Sequence, residues 1–235
     1  MKTSNYHNAQ RARQHVEAGK HRDLIGGLWD EIGRLSCEFL VARGLRPDAY
    51  FLDVGCGCLR VGVHLIDYLE PGHYFGIDLS EDLLHAGYEV ELPRYGLQHK
   101  LPRENLLCDG EFQFERLRAA PPFDMALAQS LFTHLPLNHI RLCMLRLAPV
   151  IRSGANFYVT LFHCRDDQEW AGPIVHERGG ITTHPERDPY HYRSTDLHSV
   201  IRSLPWSVGE PEDWNQSEES SDRRLRETTS ATGAG

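Results

Sequence analysis

Long apolar runs are missing from this 235-residue sequence: no stretch approaches the roughly 20 apolar residues a membrane span requires. The first twenty residues are polar and mixed in charge. They lack the apolar centre of an export signal, so a cytoplasmic location is expected. Basic residues are in deficit, 25 Lys and Arg against 33 Asp and Glu, and a net charge of −8 is a poor match to the phosphates of a nucleic acid. Half of that charge is local, because seven acidic and three basic residues follow from Glu210 onward. Cysteines are few and badly spaced for zinc. Of Cys37, Cys56, Cys58, Cys108, Cys143 and Cys164, the closest pair is separated only by Gly57, whereas structural zinc pairs enclose two to four residues. Four histidines between 163 and 191 form no compact helical pair either. Free thiols and no metal are therefore expected. There is no internal repeat.

The hydrophobic content, 40%, and a charged fraction of 25% suit one globular domain with a buried core. Residues 5–43 read as helical. Leu24, Ile25, Leu28, Ile32, Leu35, Phe39 and Leu40 recur at spacings of three and four, with a break at Gly26-Gly27 and a stop at Gly44. This N-terminal helical segment, 1–45, is placed to cover the mouth of a site. From Ala49 the period changes. Ala49–Val54 is a short apolar run entering Gly55-Cys56-Gly57, as a buried parallel strand entering a glycine turn does.

Strand and helix then alternate. A helix over 59–69 is followed by a strand over 73–77 closing on Asp78. Ser80 caps a helix over 81–91, and Asn105–Cys108 is a third strand ending at Asp109. Phe123–Ala128 is a fourth, followed by Gln129-Ser130, a helix over 137–150 and a fifth strand at 156–162. Such alternation predicts a mostly parallel sheet with helices on both faces, whose ligands bind at the carboxyl ends of the strands. The polar landmarks from Gly55 to Gln129 all fall at such ends. Residues 163–193 read as a long loop, Ser194-Thr-Asp196 as the cap of a helix to Ser203 and 206–214 as a sixth strand. The polar stretch 215–235 is expected to be disordered.

Gly55 and Gly57 let the backbone turn sharply and approach a ligand, and the next helix aims its free N–H groups at the same place. A dinucleotide fingerprint needs a third glycine three residues later, where Arg60 stands, which argues against a nicotinamide or flavin enzyme.

Asp53-Val-Gly55-Cys-Gly57-Cys-Leu59 resembles the first motif of class I S-adenosylmethionine-dependent methyltransferases, with Leu59 where the family carries a further glycine. Asp78, 21 residues after Gly57, matches the acidic residue that holds the ribose hydroxyls. Asp109 falls where an acidic residue often meets the adenine amine. The phrases Gly27-Leu-Trp-Asp-Glu-Ile-Gly33 and Ala128-Gln-Ser-Leu-Phe-Thr-His134 are similar to a bacterial-type small-molecule branch of that family. The resemblance implies a Rossmann-like domain over 46–214 that binds S-adenosyl-L-methionine through Asp53, Gly55, Cys56, Gly57, Asp78, Leu79, Asp109 and Gln129. It also implies methyl transfer to oxygen, nitrogen or carbon of a small-molecule acceptor.

Each residue has a plainer role open to it: Asp53 as a support of the glycine loop, Asp78 as a helix cap, Asp109 and Gln129 as turn residues. His134 is the candidate general base, or else a packing histidine at the next helix. His184, His191 and Tyr192 lie where acceptor pockets are often shaped. The family sheet ordinarily closes with a last antiparallel strand. Ser217–Asp222 cannot supply it, so that strand is expected to be missing and the fifth strand's edge exposed. Leu59 and the missing strand together are the grounds for an alternative, a non-catalytic module that binds the cofactor. Acceptor identity and oligomeric state are open.

Overall fold

A computed structural model describes residues 9–117, 120–165, 169–176, 180–213 and 227–233. The chain divides into two compact units, the first running to Ala126 and the second starting at Leu127. Among the described residues no helix is long and apolar enough to cross a membrane.

The first unit opens with three helices, α1 (Ala9–Glu17), α2 (His21–Leu24) and α3 (Trp29–Ala42). The break between α2 and α3 falls at Gly26-Gly27, where φ values of 89° and 65° favour residues without a β-carbon. Next come β1 (Phe51–Val54), α4 (Gly62–Tyr68), β2 (Tyr74–Asp78) and α5 (Glu81–Ala86), which continues through a π-helical turn over 87–91 into α6 (Leu92–Tyr95). The short β3 (Leu106–Cys108) and then β4 (Phe123–Ala128) follow, and β4 carries the chain into the second unit. The strand order is β4-β1-β2-β3. β2 runs parallel to both neighbours, with Asp53 opposite Gly76 and Asp78 opposite Cys108.

Every residue of β1 is buried, which is why it reads as an unbroken apolar run rather than an alternating one. Leu65, Ile66 and Leu69 of the α4 region are buried too. Phe75 meets Phe123 edge to face at 5.4 Å. Gly33 lets α3 approach the start of α4: a β-carbon there would lie 2.5 Å from the Arg60 carbonyl oxygen.

The second unit contains α7 (Leu137–Leu147), the long β5 (Ile151–His163), β6 (Ile174–His176), β7 (Ile181–Thr183) and β8 (His191–Tyr192), then α8 (Ser194–Ile201), β9 (Trp206–Val208), β10 (Glu212–Asp213) and β11 (Glu227–Gly233). Its core contains the ring cluster Phe132, Phe157 and Trp206, and Ile140, Met144 and Leu147 of α7 are buried too. The Trp206 indole N–H donates to the Met144 carbonyl at 2.9 Å.

Two expectations need correction here. The last antiparallel strand is present: β11 pairs antiparallel with β5 from Glu227–Leu161 to Thr232–Asn156, and on its other side with β9 and β10. The edge of β5 is therefore covered over those residues. Ser217–Asp222 lies outside the described residues, but the seven residues Glu227–Gly233 include three β-branched threonines. A strand flanked on both sides draws its stability from ladder hydrogen bonds, which a polar sequence supplies as well as an apolar one. The second correction concerns the expected loop at 163–193. It contains an antiparallel hairpin, β6 with β7, and β8 lies parallel to the end of β5.

Candidate functional site

The site of the first unit is built where β1 and β2 end. Gly55 and Gly57 both take left-handed backbone, φ 78° and 54°. The amides of Gly55 and Cys56 donate to the Ile77 carbonyl at 2.7 and 3.1 Å, tying the glycine turn to the end of β2. The Asp78 carboxylate accepts from the Gly57 amide at 2.8 Å through Oδ2 and from the Ser80 amide at 2.9 Å through Oδ1. Both oxygens are thus oriented, and each keeps acceptor capacity for a further donor. Burial raises the carboxyl pKa, and the amide bonds from Ser80 and Gly57 oppose the shift. The residue still keeps some exposed surface. Leu79, next in sequence, is 39% exposed, an apolar surface directly beside that carboxylate.

Asp53 sits deeper. It is 2% exposed and accepts from the Tyr74 hydroxyl at 2.8 Å. Desolvation pushes its carboxyl up to about 7, against the pull of the Tyr74 hydrogen bond. Cys56 is also buried, its sulfur 2.8 Å from where a β-carbon on Gly76 would stand, and burial holds its thiol well above the ordinary range. Such a thiol is inert. Asp109 spends both oxygens inside its own loop: Oδ1 accepts from the Glu111 amide at 2.5 Å and Oδ2 from Arg116 at 2.9 Å. Of the predicted set in this unit, the geometry brings Gly55, Gly57, Asp78 and Leu79 together at the ends of β1 and β2. It places Asp53 and Cys56 beneath them and Asp109 in a turn.

Leu59 is accommodated rather than tolerated. Its φ is 69°, the left-handed region in which glycine is usual, and its side chain is fully buried. That side chain fills the space left by two glycines. A β-carbon on Gly62 would meet the Leu59 β-carbon at 2.9 Å, and one on Gly87 would meet the Leu59 γ-carbon at 2.8 Å.

The N-terminal segment reaches the glycine turn. A β-carbon on Gly57 would lie 3.3 Å from Cγ2 of Ile25. Arg60, the residue that spoils the dinucleotide fingerprint, is buried and donates to the carbonyls of Ile25 and Gly27 at 2.8 and 3.0 Å. The fully buried Glu91 accepts from His21 at 2.6 Å and from both Nε and Nη2 of Arg22. The Arg22 guanidinium holds the Glu91 carboxyl below its usual range despite burial. Sequence reasoning missed Arg60 and Glu91 because their partners lie 33 to 70 positions away and neither stands in a recognisable pattern.

In the second unit, Gln129 is buried and donates to the Ser130 hydroxyl at 3.1 Å. The Ser130 amide in turn donates to the Thr160 hydroxyl at 2.6 Å. His134 ends a 3₁₀ turn over Phe132–His134, and its Nδ1 lies 2.5 Å from Oδ1 of Asp188. Asp188 also escaped the sequence reading. His191 is fully buried, with Nδ1 2.9 Å from the Thr183 hydroxyl and Nε2 3.0 Å from the Trp170 carbonyl. The Thr183 hydroxyl is shared with His176 at 2.9 Å. Tyr192 donates to the Leu135 carbonyl, and His184 stands beside Arg187. Among the described residues no three His, Cys, Asp or Glu side chains converge on a point that could hold a metal ion.

Residues 52–157 match the family model described as a methyltransferase domain. Among solved structures, the chain is similar to magnesium protoporphyrin IX methyltransferase from Synechocystis PCC 6803 with bound S-adenosylmethionine. The TM-score is 0.60 at 12% identity, covering 96% of this chain and 97% of that one. It is similar to an S-adenosylmethionine-dependent methyltransferase from Clostridium acetobutylicum, with a TM-score of 0.63 at 14% identity, covering 94% and 99%. A third is the 1,6-didemethyltoxoflavin-N1-methyltransferase of Burkholderia thailandensis with bound 1,6-didemethyltoxoflavin and S-adenosylhomocysteine. There the TM-score is 0.59 at 15% identity, covering 100% and 93%.

Proposed function

We propose that the chain is a class I S-adenosylmethionine-dependent methyltransferase on a Rossmann-like fold, and that it methylates an oxygen, nitrogen or carbon nucleophile of a small molecule by in-line displacement. The observation that carries the assignment to this chain's own residues is Asp78. Its carboxylate is fixed by two backbone amides at a strand end and keeps lone pairs for a vicinal diol. Leu79 beside it offers apolar surface to a flat ring. Gly55 and Gly57 present a turn without side chains, which suits close approach of the cofactor's polar tail. The residues present therefore fit S-adenosylmethionine.

Bound there, the cofactor supplies a methyl group already activated as a sulfonium. What remains for the protein is positional. Asp78, Leu79 and the glycine turn hold the donor, while Ile25 and the segment clamped by Arg60 and Glu91 exclude water. Asp53 and Cys56 support the loop from below, Asp109 shapes the turn after β3, and Gln129 does the same after β4. A small acceptor fits the charge balance, since −8 disfavours a polyanion. Two of the similar structures, by name, act on a porphyrin and a didemethyltoxoflavin. The alternative of a non-catalytic binding module loses both its grounds, since Leu59 is accommodated and β11 is in place.

The test is calorimetric titration with S-adenosylmethionine, its demethylated product and NADH. The first two should bind and NADH should not. Asp78→Ala should weaken binding at least about tenfold, or ~1.4 kcal/mol. Unchanged affinity in a folded Asp78→Ala sample would remove Asp78 from the site.

A further inference from the structure

Resting on the methyltransferase reading, we propose that residues 20–27 are a strap latched to Glu91, and that this strap must lift each time the cofactor enters or leaves. Glu91 closes the π-helical turn between α5 and α6, and α5 begins shortly after Asp78. The Glu91 carboxylate is fully buried. It only accepts, so His21 donates to it from Nε2 at 2.6 Å, and Arg22 donates from Nε at 2.9 Å and from Nη2. Arg22 also lies over the Trp29 ring, 4.2 Å from its centroid. The strap's remaining polar contacts go to the loop that follows the glycine turn. Cys58 Sγ is 3.8 Å from the His21 carbonyl, and Arg60 donates to the carbonyls of Ile25 and Gly27. The strap therefore bridges the two elements that follow Gly57 and Asp78, with Ile25 resting on Gly57 itself.

This is a moving part rather than a fixed wall. Its anchors are polar, while its apolar residues Leu24 and Ile25 are only half-buried, so little apolar burial holds it down. Its ends are free to turn. Gly19 and Gly27 take left-handed φ, 67° and 65°, and a β-carbon on either would meet nothing within 4 Å, the open surroundings a hinge needs. The latch itself has two states. Its three donor atoms come from two consecutive residues, so they leave Glu91 together, and a buried carboxylate stripped of both partners must regain water before the strap can stay open. Opening is rare for that reason, and a ligand held beneath the strap dwells there.

Cys58 reports the motion with no cofactor present. Its thiol is fully buried and touches the strap, whereas Cys56 is buried beneath the glycine turn and Cys143 within α7. Labelling of the full chain with methyl methanethiosulfonate, read by peptide mass spectrometry, should reach Cys58 at least about tenfold faster than Cys56 or Cys143. Arg22→Gln should speed Cys58 labelling by about a further tenfold and leave Cys143 unchanged. Arg22→Lys, which keeps the charge but not the two-pronged contact, should fall between. Equal labelling of all three cysteines would mean that Cys58 is reached only by global unfolding, and overturns the strap. The second measurement follows S-adenosylhomocysteine by stopped flow. Once bound it should shield Cys58, and it should dissociate about tenfold faster from Arg22→Gln than from the wild type. Unchanged dissociation from a variant whose Cys58 labels faster describes a strap that lifts without gating the site, and rejects the proposal. A chain whose Cys58 opens as expected but which binds no S-adenosylhomocysteine overturns the proposal through the methyltransferase reading and not through the strap, so the two failures are distinguishable.

Discussion

At the scale of the residue, Leu59 shows how a glycine turn can carry a leucine in left-handed backbone. Holding a leucine at φ 69° costs about 1–2 kcal/mol relative to right-handed backbone. Burying its side chain completely returns about 1.5–3 kcal/mol, so burial wins by a narrow margin. The consequence is an unusual ranking of substitutions. Leu59→Ala keeps the backbone strain and loses the packing, and should destabilise by about 2–5 kcal/mol in urea unfolding. Leu59→Gly empties the same space but relieves the strain, so it should be more stable than Leu59→Ala by about 1 kcal/mol. Gly87→Ala alone places a β-carbon 2.8 Å from the Leu59 γ-carbon and should cost about 1–3 kcal/mol. In the Leu59→Ala background much of that cost should vanish, a coupling of about 1 kcal/mol. Strict additivity in that cycle would show that Leu59 does not pack on Gly87.

At the scale of the element, β11 is the sharpest test of the architecture. Ala231 has Phe157 of β5 on one side and Val208 of β9 on the other, so its backbone N–H serves a ladder in an interior strand. Ala231→Pro should therefore lower stability by about 3 kcal/mol or more, read from the urea midpoint. An unchanged midpoint would show that β11 contributes nothing to the fold. β11 also marks what could be read from sequence and what could not. Strands β1, β2 and β4 and helix α7 were legible because burial on both faces, or on one helical stripe, writes apolar periodicity into the chain. The glycine turn and Asp78 were legible because a short motif and its spacing carry them. β11 and the β6–β7 hairpin were not, since their stability resides in the backbone of a partner strand. Arg60, Glu91 and Asp188 were illegible for a related reason. A charged residue looks solvated until the fold brings it a carbonyl or an ion-pair partner from dozens of positions away.

At the scale of the whole molecule, the buried ionisable groups pull the pH dependence of stability in opposite directions. His64 and His176 have pKa values lowered by burial, so each favours the folded state above about pH 6.5 and loses that contribution as pH falls. Glu91, held low chiefly by Arg22, stabilises above the ordinary glutamate range and loses its contribution in acid. Asp53 works the other way. Its folded-state pKa of about 7 lies above the unfolded value of about 3.9, so between these pH values the native state holds more protons than the unfolded chain. The stability it contributes is fully present below about pH 4 and is lost as pH rises toward 7. Asp78, also raised by burial, acts with the same sign. Asp53→Asn removes the titration and leaves an amide that can still accept from Tyr74. Urea unfolding at a series of pH values should then show the difference between variant and wild type growing steadily in the variant's favour from pH 4 to pH 7 and flattening above. A difference independent of pH across that range would mean that Asp53 is ionised in the folded protein throughout it. Burial under the glycine turn would then not be what sets its charge.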